Sequence, residues 1–188
     1  MKTLSDLLRN TLQLGYVTDD LDAAAEFLES KLGTVRCVKS YRSSLGRPLG
    51  DANASSAQPP VVDGPHIVVD GTLGDEWVID VALVNAGPTN LEIIRPVSGR
   101  VDLYRNGIRP GAAATFHHAG FRVDDFDEAS AIVEKSGRSW AQYGATGGVR
   151  FGYLDLTAEL GHFVEVMELD ENGASVFATL ENASNAVA

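Results

Sequence analysis

The chain has 188 residues, 44% of them apolar, and sets 15 Lys and Arg against 26 Asp and Glu for a formal net charge of −11. That is enough apolar material for one ordinary core or two small fused modules. The acidic balance disfavours nucleic acid and anionic membrane surfaces, which demand clustered Lys and Arg, and leaves a small-molecule or protein partner.

Met1-Lys2-Thr3-Leu4-Ser5-Asp6 lacks the apolar h-region of a signal peptide, and no apolar run approaches the ~18 residues that span a bilayer, so a cytoplasmic protein without a membrane partner is expected. A short helix over residues 3–10 places Leu4, Leu7 and Leu8 on one face. Residues 12–18 alternate as a strand, Asp19-Asp20-Leu21-Asp22 forms a turn and N-cap, and a helix over 23–32 stops at Gly33. A strand is expected at 35–39, where the single cysteine, Cys37, reads as a small packed side chain. From 41 to 75 the pattern dissolves into Ser, Gly, Pro, Asn and Asp, a loop-like insertion with His66-Ile67-Val68-Val69 as a small strand inside it; a stretch of this length is either a binding loop or disordered. Strands at 77–84 and 90–95 are joined by Asn85-Ala86-Gly87-Pro88, and a polar linker follows over 98–114. The remainder reads as strand 115–123, helix 126–136, strand 139–143, a Gly-rich turn at 144–148, strands 149–156 and 162–168, and a terminal amphipathic helix at 172–183. Domain limits follow: a first βαβββ module over 1–97, the linker, a second module over 115–170, and a helix and tail over 171–188.

Gln13-Leu14-Gly15-Tyr16-Val17-Thr18-Asp19-Asp20-Leu21-Asp22 matches His118-Ala119-Gly120-Phe121-Arg122-Val123-Asp124-Asp125-Phe126-Asp127 without a gap, with the Gly and three Asp in register. A period this long indicates a duplicated module rather than a solenoid, whose repeats run about 20–50 residues. The last strands correspond too, Leu91-Glu92-Ile93 with Val164-Glu165-Val166, each a Glu between apolar neighbours. The stretch from Gln13 to Glu92 is longer than that from His118 to Glu165, and the insertion at 41–75 accounts for the difference.

Two tandem βαβββ modules of this kind, each opening two residues before a Gly and closing on a strand Glu, resemble the vicinal oxygen chelate superfamily of glyoxalases, bleomycin-resistance proteins and dioxygenases. The closest resemblance is to members of the glyoxalase I and methylmalonyl-CoA epimerase type. The resemblance covers residues 12–168 and implies an α+β vicinal oxygen chelate fold with a long loop insertion in the first module. It also implies a homodimer and metal ligands at Gln13, Glu92, His118 and Glu165. An amide, two carboxylates and an imidazole suit a borderline-to-hard divalent ion such as zinc, nickel, cobalt, manganese or iron. Strand alternation supports His118 as the ligand: it shares a face with Gly120 and Arg122, whereas His117 falls with Ala119, Phe121 and Val123 on the side packed beneath the helix, as a core residue or a neighbour of the ligand.

The implied activity is that of a metal-dependent isomerase, lyase or epimerase that abstracts a proton next to a carbonyl of a small chelating substrate. Glu165 is the leading base and Glu92 the second base or a plain ligand. Arg122 is a candidate for binding a substrate carboxylate or an acidic neighbour. Two other classes remain open. One is a sequestering protein whose groove is built from Trp77, Trp140, Tyr143 and Tyr153. The other is a metal-dependent dioxygenase, whose usual two-His, one-carboxylate iron site this sequence departs from at Gln13.

Overall fold

In the computed structural model, which describes residues 2–32, 39–46, 65–74, 76–86 and 89–185, each copy of the repeat opens with a strand and a capped helix. After a one-turn helix α1 (Leu4–Leu7), β1 (Thr11–Val17) leads into α2 (Leu21–Leu32), where the Asp20 carboxylate accepts the Ala23 N–H at 3.0 Å. Then come β2 (Lys39–Gly46), β3 (His66–Val69), β4 (Thr72–Leu73), β5 (Glu76–Ala86), β6 (Thr89–Gly99) and a short helix α3 (Asp102–Arg105). The second copy runs β7 (Thr115–Val123), α4 (Phe126–Lys135), β8 (Gln142–Thr146), β9 (Val149–Leu156), a short α5 (Thr157–Leu160) and β10 (His162–Leu169), with α6 (Glu171–Asn185) closing the chain. Asp125 caps α4 as Asp20 caps α2, accepting the Glu128 N–H at 2.9 Å. Such caps contribute about 1 kcal/mol each.

The ten strands among the described residues form one sheet in the order β2-β5-β6-β1-β7-β10-β9-β8-β3-β4. Its middle is pseudo-symmetric: β1 and β7 pair antiparallel, β6 lies parallel to β1, and β10 lies parallel to β7. β3 crosses from the first half of the chain to pair with β8 of the second, and β2 approaches β3, so the sheet curls almost into a barrel. The two helices of the repeat cover its outer face. α4 with α1 buries Ala129, Ile132 and Val133 against Val164 and Val166, and α2 buries Ala24 and Leu28 against Val84 and Ile93. Each fully buried aliphatic side chain stabilises by roughly 1.5–3 kcal/mol. Inside the curl lies the largest cluster, with Trp77, Tyr104, Phe151, Tyr153 and Met167, against which α6 packs Val176 and Phe177. Among the described residues no helix is long and apolar enough to cross a membrane.

Several boundaries differ from the sequence expectation. Residues 33–38, with Cys37 and most of the strand expected at 35–39, lie outside the described residues, while β2 runs on to Gly46 inside the segment read as loop-like. Its polar composition is overridden by pairing to the long apolar strand β5. The small strand at 66–69 forms, but on the far edge of the other copy, a pairing that local pattern does not encode. The second-copy turn is tighter than expected, because Gly147 and Gly148 both take positive φ and close a two-residue β8–β9 hairpin. In the polar linker, β6 extends to Gly99 and α3 buries Tyr104 in the core.

Candidate metal centre

The four central strands each place one polar side chain on the concave face: Glu92 from β6, Gln13 from β1, His118 from β7 and Glu165 from β10. Two glycines set their spacing. Gly15 pairs with Glu92 on one side and His118 on the other, and Gly120 pairs with Gln13 and Glu165. A Cβ on Gly15 would stand 1.8 Å from His118 Cε1, so the imidazole lies over bare backbone. A Cβ on Gly120 would meet Gln13 Cγ at 2.8 Å and Met167 Cε at 2.7 Å. Each copy's glycine thus cradles the other copy's opening polar residue.

The side chains converge without satisfying one another. Gln13 Nε2 donates to Glu92 Oε2 at 3.0 Å and to Glu165 Oε2 at 3.2 Å. His118 Nε2 lies 3.2 Å from Glu165 Oε2 and 3.4 Å from Glu92 Oε2 without hydrogen-bonding geometry, and Gln13 Oε1 is buried with no partner. Gln13, His118 and Glu165 are all buried. Burial opposes charge on His118, but the Glu165 and Glu92 carboxylates outweigh it and raise the imidazole to about 9. Burial, together with the charge of Glu165, pushes Glu92 upward. Two carboxylates held this close in a buried site need a compensating cation. Among the described residues, Glu92, His118 and Glu165 offer ligand atoms that all lie within 4.8 Å of one another. Together with an amide oxygen and an imidazole nitrogen that both lack hydrogen bonds, this donor set fits a divalent metal ion.

His117 corrects the alternation argument. Between the Gly15–His118 and Tyr16–Phe116 pairs, β7 advances by two residues where β1 advances by one, so His117 is the extra residue of a β-bulge. The bulge turns it away from the helix side: its ring stacks on Phe163 at 4.8 Å and, like that of His118, meets Tyr153. Leu103 O can only accept, so His117 Nε2 is the donor across their 3.1 Å contact. Burial and the neighbouring His118 hold His117 down at about 3, neutral. Its Nδ1 therefore accepts the Nδ1–H of His118 at 3.0 Å, leaving His118 Nε2 as the atom facing the carboxylates. β1 carries a matching bulge at Leu12, just before Gln13.

Gln13, Glu92 and Glu165 stand at the wall of a cavity of about 430 Å³ inside the curled sheet, and His118 Nε2 lies beside the two carboxylates. Trp77, Phe151, Tyr153 and Tyr104 line it, and α6 contributes Val176 and Phe177. Burial raises both tyrosines well above the ordinary phenol range, so they are neutral; Gln142 Nε2 donates to Tyr104 Oη at 2.7 Å. Arg122, expected in the same concavity, is instead exposed and does not line the cavity: its N–H bonds Asn10 O at 2.8 Å, at the outer end of the sheet. Of the four aromatics expected in a groove, Trp77 and Tyr153 line it. Trp140 stacks on Phe126 over α4, and Tyr143 meets His66, so neither reaches the cavity. Tyr104 was not anticipated; Val101, Leu103 and Tyr104, apolar in an otherwise polar linker, are the only trace of it in the sequence.

Paired βαβββ modules that close a curled sheet around a buried polar cluster define the vicinal oxygen chelate fold. Residues 12–153 match the Glyoxalase/Bleomycin resistance protein/Dioxygenase superfamily, and the chain belongs to it. No curated protein matches the sequence. Among solved structures, a methylmalonyl-CoA epimerase in complex with methylmalonyl-CoA and NH4+ is similar at 14% identity and TM-score 0.53, covering 87% of this chain and 96% of that one. The methylmalonyl-CoA epimerase of Mycobacterium tuberculosis is similar at 14% identity and TM-score 0.51, covering 88% and 91%. At these identities the likeness is one of fold.

Proposed function

We propose that this protein is a divalent-metal-dependent isomerase, epimerase or lyase that abstracts a proton next to a carbonyl of a small chelating substrate, with Gln13, Glu92, His118 and Glu165 as the metal ligands. The observation that carries the reading is the largely buried cluster of two carboxylates, one imidazole and one amide, three of whose members, Gln13, Glu92 and Glu165, line the cavity. A bound zinc, nickel, cobalt, manganese or iron ion supplies Lewis acidity to substrate oxygens and offsets developing negative charge. Glu165 is the base that takes the proton, and Glu92 is the second carboxylate able to return it. Burial raises the basicity of Glu92. His117 fixes the tautomer of His118, and Tyr153 closes the aromatic wall beside it. The epimerase fold neighbours agree with proton transfer as the reaction class. All four proposed ligands come from one chain, so a homodimer, the expected assembly, is not needed to complete the site.

The test combines metal analysis of purified protein with solvent deuterium exchange into thioester and hemithioacetal substrates followed by mass spectrometry. Stoichiometric metal is expected, and Glu165→Gln is expected to slow exchange by about 10²–10⁴-fold. Protein that binds no divalent ion, or exchange unchanged by Glu165→Gln, sinks the proposal. The aromatic lining favours the sequestering alternative; metal-independent ligand binding without exchange would select it, and oxygen uptake with a catechol and Fe(II) would select dioxygenase chemistry.

A further inference from the structure

The cavity differs in character between its two ends. At one end stand Gln13, Glu92 and Glu165. The rest of the wall is aromatic and aliphatic, with Ser43 and Thr146 and the neutral Tyr104 and Tyr153 as its polar side chains; among the described residues lining it no Lys, Arg or His appears. Arg122, the cation expected there, is exposed outside, and Arg95 is engaged with Asp80. The roof is part of the same chain: α6 brings Val176 and Phe177 over the cavity. It is held at its start by Asp170, whose N–H bonds Gly148 O at 2.9 Å and whose carboxylate accepts the Gly173 N–H at 2.9 Å.

A charge balance follows. The described lining sets two carboxylates at one end of the cavity against no Lys, Arg or His, so a bound divalent ion would be offset by those carboxylates alone. A second carboxylate or a phosphate on the part of a ligand inside the cavity would lose hydration and meet no Lys, Arg or His side chain among the described residues that line it. An apolar ring or branched chain would instead meet Trp77, Phe151 and Phe177, and pockets of this size and lining enclose ligands mainly by burying apolar surface.

Resting on the metal-centre reading above, we infer that the substrate is a compact molecule with an aromatic or branched aliphatic body and a pair of vicinal oxygens, and without a second anionic group on its enclosed part. The body lies between the aromatic wall and α6, and the oxygens face the four polar side chains.

The test uses the zinc-loaded full chain carrying Trp140→Phe. The chain has two tryptophans, so this variant leaves the cavity-lining Trp77 as the sole tryptophan, read by excitation at a wavelength that tyrosine does not absorb. Benzohydroxamate, acetohydroxamate and 4-carboxybenzohydroxamate share one chelating head and differ in the body. Benzohydroxamate is expected to quench Trp77 and to bind at least about tenfold more tightly than either of the others, a factor of ten being about 1.4 kcal/mol. Equal affinity for acetohydroxamate, or tighter binding of the carboxylated compound, overturns the inference. Zinc binding is measured separately by equilibrium dialysis, so failure of the metal reading is seen independently. In that event a neutral naphthyl ketone tests the body site alone. Quenching by the ketone but not by its carboxylated analogue upholds the apolar selectivity, and quenching by neither overturns it.

Discussion

Gly15→Ala is the sharpest single perturbation of the site, because it adds one methyl group and no charge. The new Cβ would fall 1.8 Å from His118 Cε1, 2.1 Å from Nε2 and 2.2 Å from Nδ1, so the whole ring must move. It has nowhere to go: His118 is fully buried, its ring meets Tyr153 at 5.2 Å, and its Nδ1 is tied to His117. Overpacking of this kind costs about 1–3 kcal/mol. At roughly 2–4 °C per kcal/mol for a chain of this size, the metal-free protein should melt about 2–12 °C lower. The displaced imidazole should weaken zinc binding by at least about 10–100-fold, the loss usual when a ligand's orienting contacts are removed. Gly120→Ala provides the comparison, since its Cβ meets the flexible ends of Met167 and Gln13 rather than a ring, and a smaller loss is expected. The assays are a thermal melt without metal and zinc competition against a chromophoric chelator. Zinc affinity in Gly15→Ala equal to that of the parent protein would refute the placement of His118 over Gly15, and with it the metal centre.

Zinc must displace the proton that the carboxylates hold on His118, so affinity should rise about tenfold per pH unit up to about pH 9 and then level off, as read by competition titration at several pH values. The same proton stabilises the metal-free fold: its contribution is complete below the unfolded value near 6.5 and is lost as pH rises through about 9, so apo melting temperature should fall across that window. His117→Phe keeps a ring against Phe163 but removes the acceptor for His118 Nδ1–H; zinc affinity should drop about 10–100-fold, and an unchanged affinity would deny His117 its positioning role. Ile93→Ala, on the helix side of β6, should cost about 2–5 kcal/mol in chemical denaturation while leaving zinc stoichiometry at one per chain.

The paired opening motifs were legible because duplication wrote them twice: Gln13 with Gly15 and His118 with Gly120 stand in one register, and Asp20 and Asp125 cap the helices that follow. Glu92 and Glu165 were legible as charges between apolar strand neighbours. The face of His117 was not, because alternation assumes an unbroken strand and a bulge shifts the side chains on one side of it. Arg122 failed for a related reason, since sharing a strand face says nothing about where along the strand the cavity ends. The β3–β8 pairing and the roof made by α6 depend on contacts between distant parts of the chain, for which residues 66–69 and 176–177 carry only a generic apolar signal.

The β1–β7 ladder also ties the two halves of the site together. Gln13 and Glu92 stand on one side of that seam, His118 and Glu165 on the other, and the seam is main-chain hydrogen bonding within a continuous sheet. Many enzymes that build a site from two halves open it by swinging one half about a hinge. Here such a swing would break the sheet at its centre. The two halves that carry the four polar side chains are therefore joined by continuous main-chain hydrogen bonding, which leaves the elements at the cavity's rim as the place for any opening.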